Sequence, residues 1–256
     1  RTAGFSSLGD CQWLPDSQQF IFTAGGALHL ARLQGDAAPQ LTLLVPGGDD
    51  LIDPRLSPRG NFVAFVRGQN LHVLTLKTGR LRRLTRDGGG TVHNAEAEFV
   101  AQEEMDRSRG HWWAPDESMI AFERYDEAAV PVQRRFDVQA DRTEVVEQRY
   151  PVTGGPNVAV SLGLVAPTGG PVRWISLGRD PDIYLARVDW LPDSRSLCYQ
   201  RLSRDQKTLT LRQVRVSSLR QTTLRADTAA TWIELHNDLH FLQQQPAFLW
   251  AADRDG

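Results

Sequence analysis

The sequence predicts an all-β chain, a β-propeller of four-stranded antiparallel blades. Three observations predict it: a turn phrase that recurs four times, a strand-like run after each copy, and the near absence of helical periodicity. The copies are Trp13-Leu14-Pro15-Asp16-Ser17, Leu56-Ser57-Pro58-Arg59-Gly60, Trp113-Ala114-Pro115-Asp116-Glu117 and Trp190-Leu191-Pro192-Asp193-Ser194. Each reads as a strand ending on a large apolar residue, followed by a turn. Proline sets φ there, and Asp, Gly or Ser closes the turn.

The elements follow in order. Phe20-Ile21-Phe22 is the strand after the first turn. The second copy displays a whole unit: a strand ending at Leu56, strands over 61–66 and 71–76, and a last one over 81–85, joined by Gly68-Gln69-Asn70 and Lys77-Thr78-Gly79-Arg80. Met119-Ile120-Ala121-Phe122 follows the third turn, and the fourth copy repeats the meander over 196–201, 209–216 and 221–225. Trp113, matching Trp13 and Trp190, is expected in blade core.

Successive repeat prolines stand 43, 57 and 77 residues apart. A plain blade takes about 40–50 residues, so the later gaps hold insertions, about 88–110 and within 128–182. Residues 1–256 then read as a partial propeller of about five blades, the last stopping in mid-blade near Gly256.

Composition excludes several classes. A net charge of −2 makes no electrostatic case for nucleic acid, and no apolar run approaches the ~20 residues of a membrane helix. Cys11 and Cys198 match neither a zinc spacing nor a disulfide framework and read as buried free thiols. His236 and His240 are set among strand-like residues, which argues against a metal site. No cofactor is called for.

The first insertion carries the chemistry. Helix formers dominate Asn94 to Arg107, with Asn94 available as N-cap and Glu96 and Glu98 suited to the first turn. Glu103 and Glu104 then lie side by side. Aimed into a cavity, they could hold one cation, and a peptide's α-ammonium offers three donors to them. Pattern alone favours the plainer reading, in which both are solvated and Glu103 pairs with Arg107 at i,i+4. A nucleophile elbow Gly-x-Ser-x-Gly is absent. Gly4-Phe5-Ser6-Ser7-Leu8 fails at its last position, which puts any catalytic triad outside this chain.

Glu98-Phe99-Val100-Ala101-Gln102-Glu103-Glu104-Met105, followed by His111-Trp112-Trp113-Ala114-Pro115-Asp116, is very similar to the double-glutamate helix and Trp-Trp turn of the dipeptidyl peptidase IV family, in its bacterial branch. The similarity extends through Val130-Pro131-Val132, Arg149-Tyr150-Pro151, Pro156-Asn157-Val158 and Val188-Asp189-Trp190. The resemblance implies an N-terminal propeller that gates a serine exopeptidase releasing Xaa-Pro or Xaa-Ala dipeptides. Its substrates would be peptides with a free N-terminus, and its nucleophile would come from a C-terminal α/β-hydrolase domain. It implies that Glu103 and Glu104 bind the substrate's N-terminus and that an arginine, for which Arg107 is the candidate, holds a substrate carbonyl. It implies also a homodimer contacted through the arm at 132–150 and a periplasmic or secreted location. A non-catalytic propeller serving as an interaction module is the alternative. An acylaminoacyl peptidase fits less well, because two carboxylates suit a free amine.

Overall fold

The computed structural model describes residues 9, 11–35, 37–48, 51–242, 245 and 247–252. Gly4 to Leu8 and the expected mid-blade stop after Asp253 lie outside these. Strands β1 (Gln12–Trp13), β2 (Gln19–Ala24), β3 (Ala27–Gln34) and β4 (Ala37–Val45) form one antiparallel sheet in chain order. The second is β5 (Ile52–Leu56), β6 (Phe62–Arg67), β7 (Asn70–Thr75) and β8 (Arg80–Arg83). Next come β9 (Val92–Asn94), the short helix α1 (Phe99–Glu103), β10 (His111–Trp113), β11 (Ile120–Asp126), β12 (Val132–Val138), β13 (Thr143–Arg149), β14 (Ala159–Val165) and β15 (Arg173–Ile175).

The third sheet has the order β10-β11-β14-β15, with β9 beside β11. The second insertion therefore falls between the second and third strands of a blade, as the separate hairpin β12–β13. Strands β16 (Ile183–Trp190), β17 (Ser196–Ser203), β18 (Thr208–Arg215) and β19 (Gln221–Thr228) make the fourth sheet, and β20 (His240–Phe241) pairs with β21 (Phe248–Leu249). The fold is all-β with four-stranded antiparallel blades, as the sequence predicts. The chain divides into two compact units, one comprising 1–96, 109–124 and 163–174, the other 97–108, 125–162 and 175–256.

In the first unit, β6 shows why blade strands read as unbroken apolar runs. Val63 and Phe65 join one buried cluster with Ile21 and Leu28, while Ala64 and Val66 join another with Ile120 and Phe122. Side chains alternate between faces along a strand, and here both faces are covered, so every position is apolar. Phe65 and Phe122 are fully buried, and each contributes about 2–3 kcal/mol through removal from water.

The four turn phrases close in the same way. The N–H of the second residue bonds across the hairpin (Leu14 to Gln19 O, Ser57 to Phe62 O, Ala114 to Met119 O, Leu191 to Ser196 O), and the fifth residue's N–H returns to the second's carbonyl. That fifth residue is left-handed every time: Ser17 at φ 55°, Gly60 at 76°, Glu117 at 65° and Ser194 at 59°. In three copies an aspartate in fourth place accepts from the N–H two residues on, as Asp116 Oδ1 does from Ser118 at 3.0 Å.

The second copy has Arg59 in that place and borrows a carboxylate from the third. Glu117, 5% exposed, accepts from Ser57 Oγ at 2.5 Å, Arg59 N at 2.7 Å and Asn61 Nδ2 at 2.7 Å, with Asn61 N at 3.4 Å. Two blades are thereby joined at their turns.

Trp113 stacks on Phe62 at 5.8 Å and donates to the Arg55 carbonyl at 3.3 Å. Trp13 departs from its expected core position: it is 53% exposed and packs on Phe20. Cys198 is buried as expected, and burial pushes its thiol up to about 12, whereas Cys11 is exposed.

Burial alone would raise the Glu117 carboxyl, but the hydrogen bonds from Ser57, Asn61 and the Arg59 backbone outweigh it and hold it below its ordinary value of 4.5. A carboxyl lowered on folding contributes stability above the unfolded value and loses it as pH falls through the folded one. Glu117→Gln should therefore cost about 2 kcal/mol near neutrality, or roughly 4–8 °C in Tm, and the difference from the parent should shrink as the pH drops below about 4. Thermal melts at pH 7 and pH 3.5 read both effects; equal losses at the two pH values would contradict this role for Glu117.

Candidate functional site

The site lies in the second unit, around α1. Helix α1 has only five residues, and its start is fixed by Glu98 rather than Asn94. Glu98 has extended backbone (φ −71°, ψ 168°), and its carboxylate accepts from Val100 N at 2.6 Å and Ala101 N at 2.9 Å. A carboxylate at this end satisfies donors that have no partner in the first helical turn and complements the helix dipole. Glu98 is 2% exposed, and the Gln102 amide adds a bond to the Ala97 carbonyl at 2.7 Å. Asn94 is unavailable as a cap because it belongs to β9, where its amide meets Asp87 Oδ1 at 3.1 Å.

The helix is held down by Val100 and Met105, which pack with Tyr184, Ala186, Leu202 and Leu209. With those two residues turned inward, Gln102, Glu103 and Glu104 are all exposed. Glu103 is the last helical residue, and Glu104 is the C-cap, its N–H returning to the Val100 carbonyl at 2.9 Å. Asp106 then takes a left-handed φ of 50°.

Two cavities adjoin this segment, and Glu104 lines both. The larger, about 730 Å³, is bounded by Phe99, Tyr150, Tyr184 and the β17–β18 turn. Phe99 and Tyr150 meet edge to face at 5.2 Å. Across from them, Arg204 lies over the Tyr184 ring at 5.4 Å and donates to the Tyr184 hydroxyl at 2.8 Å. The smaller cavity, about 270 Å³, has Glu104, Arg187, Gln206 and Trp232 in its wall. Glu103 lines neither.

Arg107, expected to face a peptide, is 5% exposed, and its Nη2 donates to the Leu185 carbonyl at 3.0 Å. Two other guanidiniums line the cavities, Arg204 the larger and Arg187 the smaller, the latter held by Asn237 Oδ1 at 2.7 Å and the Ala186 carbonyl at 2.8 Å. Burial, with the positive charge of Arg107 close by, lowers Arg187 from its ordinary value. In the sequence Arg187 directly precedes the stretch Val188-Asp189-Trp190, a placement that says nothing about what its side chain faces. Among the described residues, no group of three or more His, Cys, Asp or Glu is placed to hold a metal ion.

The scaffold is all-β, built of four-stranded blades, with one short helix set into it that ends at Glu103 and Glu104. A family model for the dipeptidyl peptidase IV (DPP IV) N-terminal region matches residues 38–256, and the chain belongs to that family. It is 30% identical over 193 residues to an Aspergillus clavatus protein named "Probable dipeptidyl peptidase 4", across 70% of this chain and 24% of the relative. Against dipeptidyl aminopeptidase A of Saccharomyces cerevisiae it is 26% identical over 198 residues, across 74% of this chain and 21% of the relative. The chain thus spans about a quarter of the length of these curated relatives. In fold it is similar to the crystal structure of Porphyromonas gingivalis dipeptidyl peptidase 4, with a TM-score of 0.86 at 23% identity, over 100% of this chain and 38% of that one.

Because the α1 start depends on one side chain, Glu98→Ala is expected to cost about 1–2 kcal/mol and to loosen 99–104 first. Hydrogen exchange of the Val100 and Ala101 amides is the direct readout: both should lose protection in the variant, and unchanged protection would rule out the cap.

Proposed function

We propose that this chain is the substrate-gating, N-terminus-binding propeller of a serine-type dipeptidyl peptidase that removes Xaa-Pro or Xaa-Ala dipeptides. In this reading Glu104 and Glu103 receive the peptide's α-ammonium. The nucleophile comes from a C-terminal α/β-hydrolase domain of the same protein. The observation that carries the proposal is the position of Glu104, an exposed carboxylate on a capped helix end that lines two cavities. An ammonium brings three donors, so it can bond both carboxylates and still reach a third acceptor.

Clamping the N-terminus sets the register of the chain. If the ammonium is fixed, the second peptide bond is the one offered to the nucleophile, and positioning of this kind lowers the barrier by removing translational and rotational freedom in advance. A blocked N-terminus is rejected because it leaves carboxylates without their cation. Arg187, facing the cavity that Glu104 also lines, is suited to hold a backbone carbonyl of the bound peptide. Arg107, behind it, supports β16 through the Leu185 carbonyl.

The hairpin β12–β13 supports a homodimer. Phe136 and Val145 stand opposite each other and are 70% and 56% exposed, and Val138 on the same face is 74% exposed. The mass of the protein in solution tests this. Likeness to bacterial dipeptidyl peptidases supports a periplasmic or secreted location, which fractionation of the source cells tests. No described helix is long and apolar enough to cross a membrane.

The clamp is tested on the full-length protein with Ala-Pro and N-acetyl-Ala-Pro chromogenic substrates, beside Glu103→Ala/Glu104→Ala. The free-amine substrate should be cleaved selectively, and the variant should lose at least about thirtyfold in kcat/KM, or ~2 kcal/mol. Equal cleavage of the blocked substrate, or an unaffected variant, would remove the dipeptidase assignment.

A further inference from the structure

The larger cavity has a charge balance that the ammonium clamp does not explain. Besides Glu104, its lining includes Asp180, Asp205 and Arg204. The one guanidinium is already engaged: Nη1 donates to the Tyr184 hydroxyl at 2.8 Å, Nη2 to the Gly155 carbonyl at 3.3 Å, and Nε lies 3.9 Å from Asp182 Oδ1. Arg204 thus builds the wall. It ties the β17–β18 turn to β16 and to the 151–155 segment, and its charge is shared with Asp182.

Asp205 is fixed in the same turn, its Oδ1 accepting from Ser203 Oγ at 2.6 Å and Lys207 N at 3.1 Å. Those two bonds, first the hydroxyl and then the backbone N–H, hold its carboxyl below the ordinary carboxylate range, so it is ionised at neutral pH. Asp180 Oδ1 accepts from Asp182 N at 3.0 Å, while its other oxygen lies 3.7 Å from Arg201. The wall also carries three aromatic rings, the Phe99–Tyr150 pair and Tyr184. Aromatic faces accept aliphatic stems and attract cations.

From this arrangement we infer that the larger cavity receives the side chain of the peptide's first residue, and that Asp205 and Asp180 make it select lysine or arginine there over aspartate or glutamate. The inference rests on the reading of Glu103 and Glu104 as the ammonium clamp. The clamp fixes the first residue's backbone at Glu104, and the adjoining cavity is then within reach of its side chain. A lysine or arginine would lay its methylene stem along Tyr150 and Tyr184 and bring its head to the β17–β18 turn. A glutamate would meet the like charge of Asp205 and Glu104, while the guanidiniums of Arg204 and Arg201 already face Asp182 and Asp180. At 730 Å³ the cavity is of the size that ordinarily takes small ligands, ample for the longest side chains.

Substrate pairs on the full-length protein test it. Lys-Pro and Glu-Pro chromogenic substrates carry the same free amine and scissile bond, so the clamp holds both and only the first side chain differs. The kcat/KM ratio of Lys-Pro to Glu-Pro should be about tenfold or more at low ionic strength and should contract in ~1 M salt, since opposite charges at partly exposed sites are screened. In Asp180→Asn/Asp205→Asn the ratio should fall to within about threefold of unity. Asparagine keeps the Oδ1 acceptor that both turns use, so the variant retains the local hydrogen bonds. A ratio near one in the parent protein, with N-acetylated substrate still rejected, would overturn this inference and leave the clamp standing. A ratio unchanged by the double substitution would take the selectivity away from this cavity. Cleavage of N-acetyl-Lys-Pro as fast as Lys-Pro would remove the clamp and this inference together.

Discussion

Two backbone N–H groups at the start of α1, those of Val100 and Ala101, have a single carboxylate to bond to, and the candidate site is arranged around that contact. Glu98 reaches both within hydrogen-bonding distance while almost completely buried. A five-residue helix has too few internal hydrogen bonds to be stable by itself. It exists because the cap holds one end and the Val100 and Met105 side chains anchor one face among Tyr184, Ala186 and Leu202. With that face fixed, the next residues have no choice: Glu103 and Glu104 must turn outward. The acidic pair is therefore presented by packing and capping, and both charged side chains stay exposed, Glu104 in the wall of two cavities.

The scaffold solves a separate problem, closing a four-stranded blade and fixing it to the next. A left-handed residue in fifth place of every turn phrase lets the chain reverse in few residues, at a cost of about 1–2 kcal/mol for any residue but glycine. Gly60 avoids that cost, and Ser17, Glu117 and Ser194 do not. Glu117 offsets it by satisfying donors in the neighbouring turn, where Arg59 stands in place of the usual aspartate. The missing acceptor of one repeat and the extra carboxylate of the next are two halves of one arrangement.

Much of this was legible in the sequence, for physical reasons. Proline followed by a small or acidic residue has few backbone options, so the turns and their spacing could be read directly, and strands buried on both faces betray themselves as apolar runs such as Phe62 to Val66. The helix could be read as well, but its cap could not. Glutamate is not a favoured N-cap and asparagine is, but Asn94 belongs to β9. Arg107 stands near Glu103 in the chain, yet nearness along a helix end does not fix which face a side chain takes. Arg187 and the β17–β18 turn come to share cavities with Glu104 only through tertiary folding, which no local pattern records. Trp13 matched Trp113 in the repeat, but what covers a side chain depends on its neighbours: Phe62 lies flat against Trp113, while Trp13 has Phe20 beside it and remains half exposed.

The most direct test of the account is a crystal structure of the full-length protein with a slowly cleaved Xaa-Pro-Xaa tripeptide bound. The peptide's α-ammonium is expected within about 3 Å of a Glu104 carboxylate oxygen, the distance of a charge-assisted hydrogen bond, with the first side chain in the cavity between Tyr150 and Tyr184. A tripeptide bound with its N-terminus elsewhere and Glu104 facing only water would contradict it.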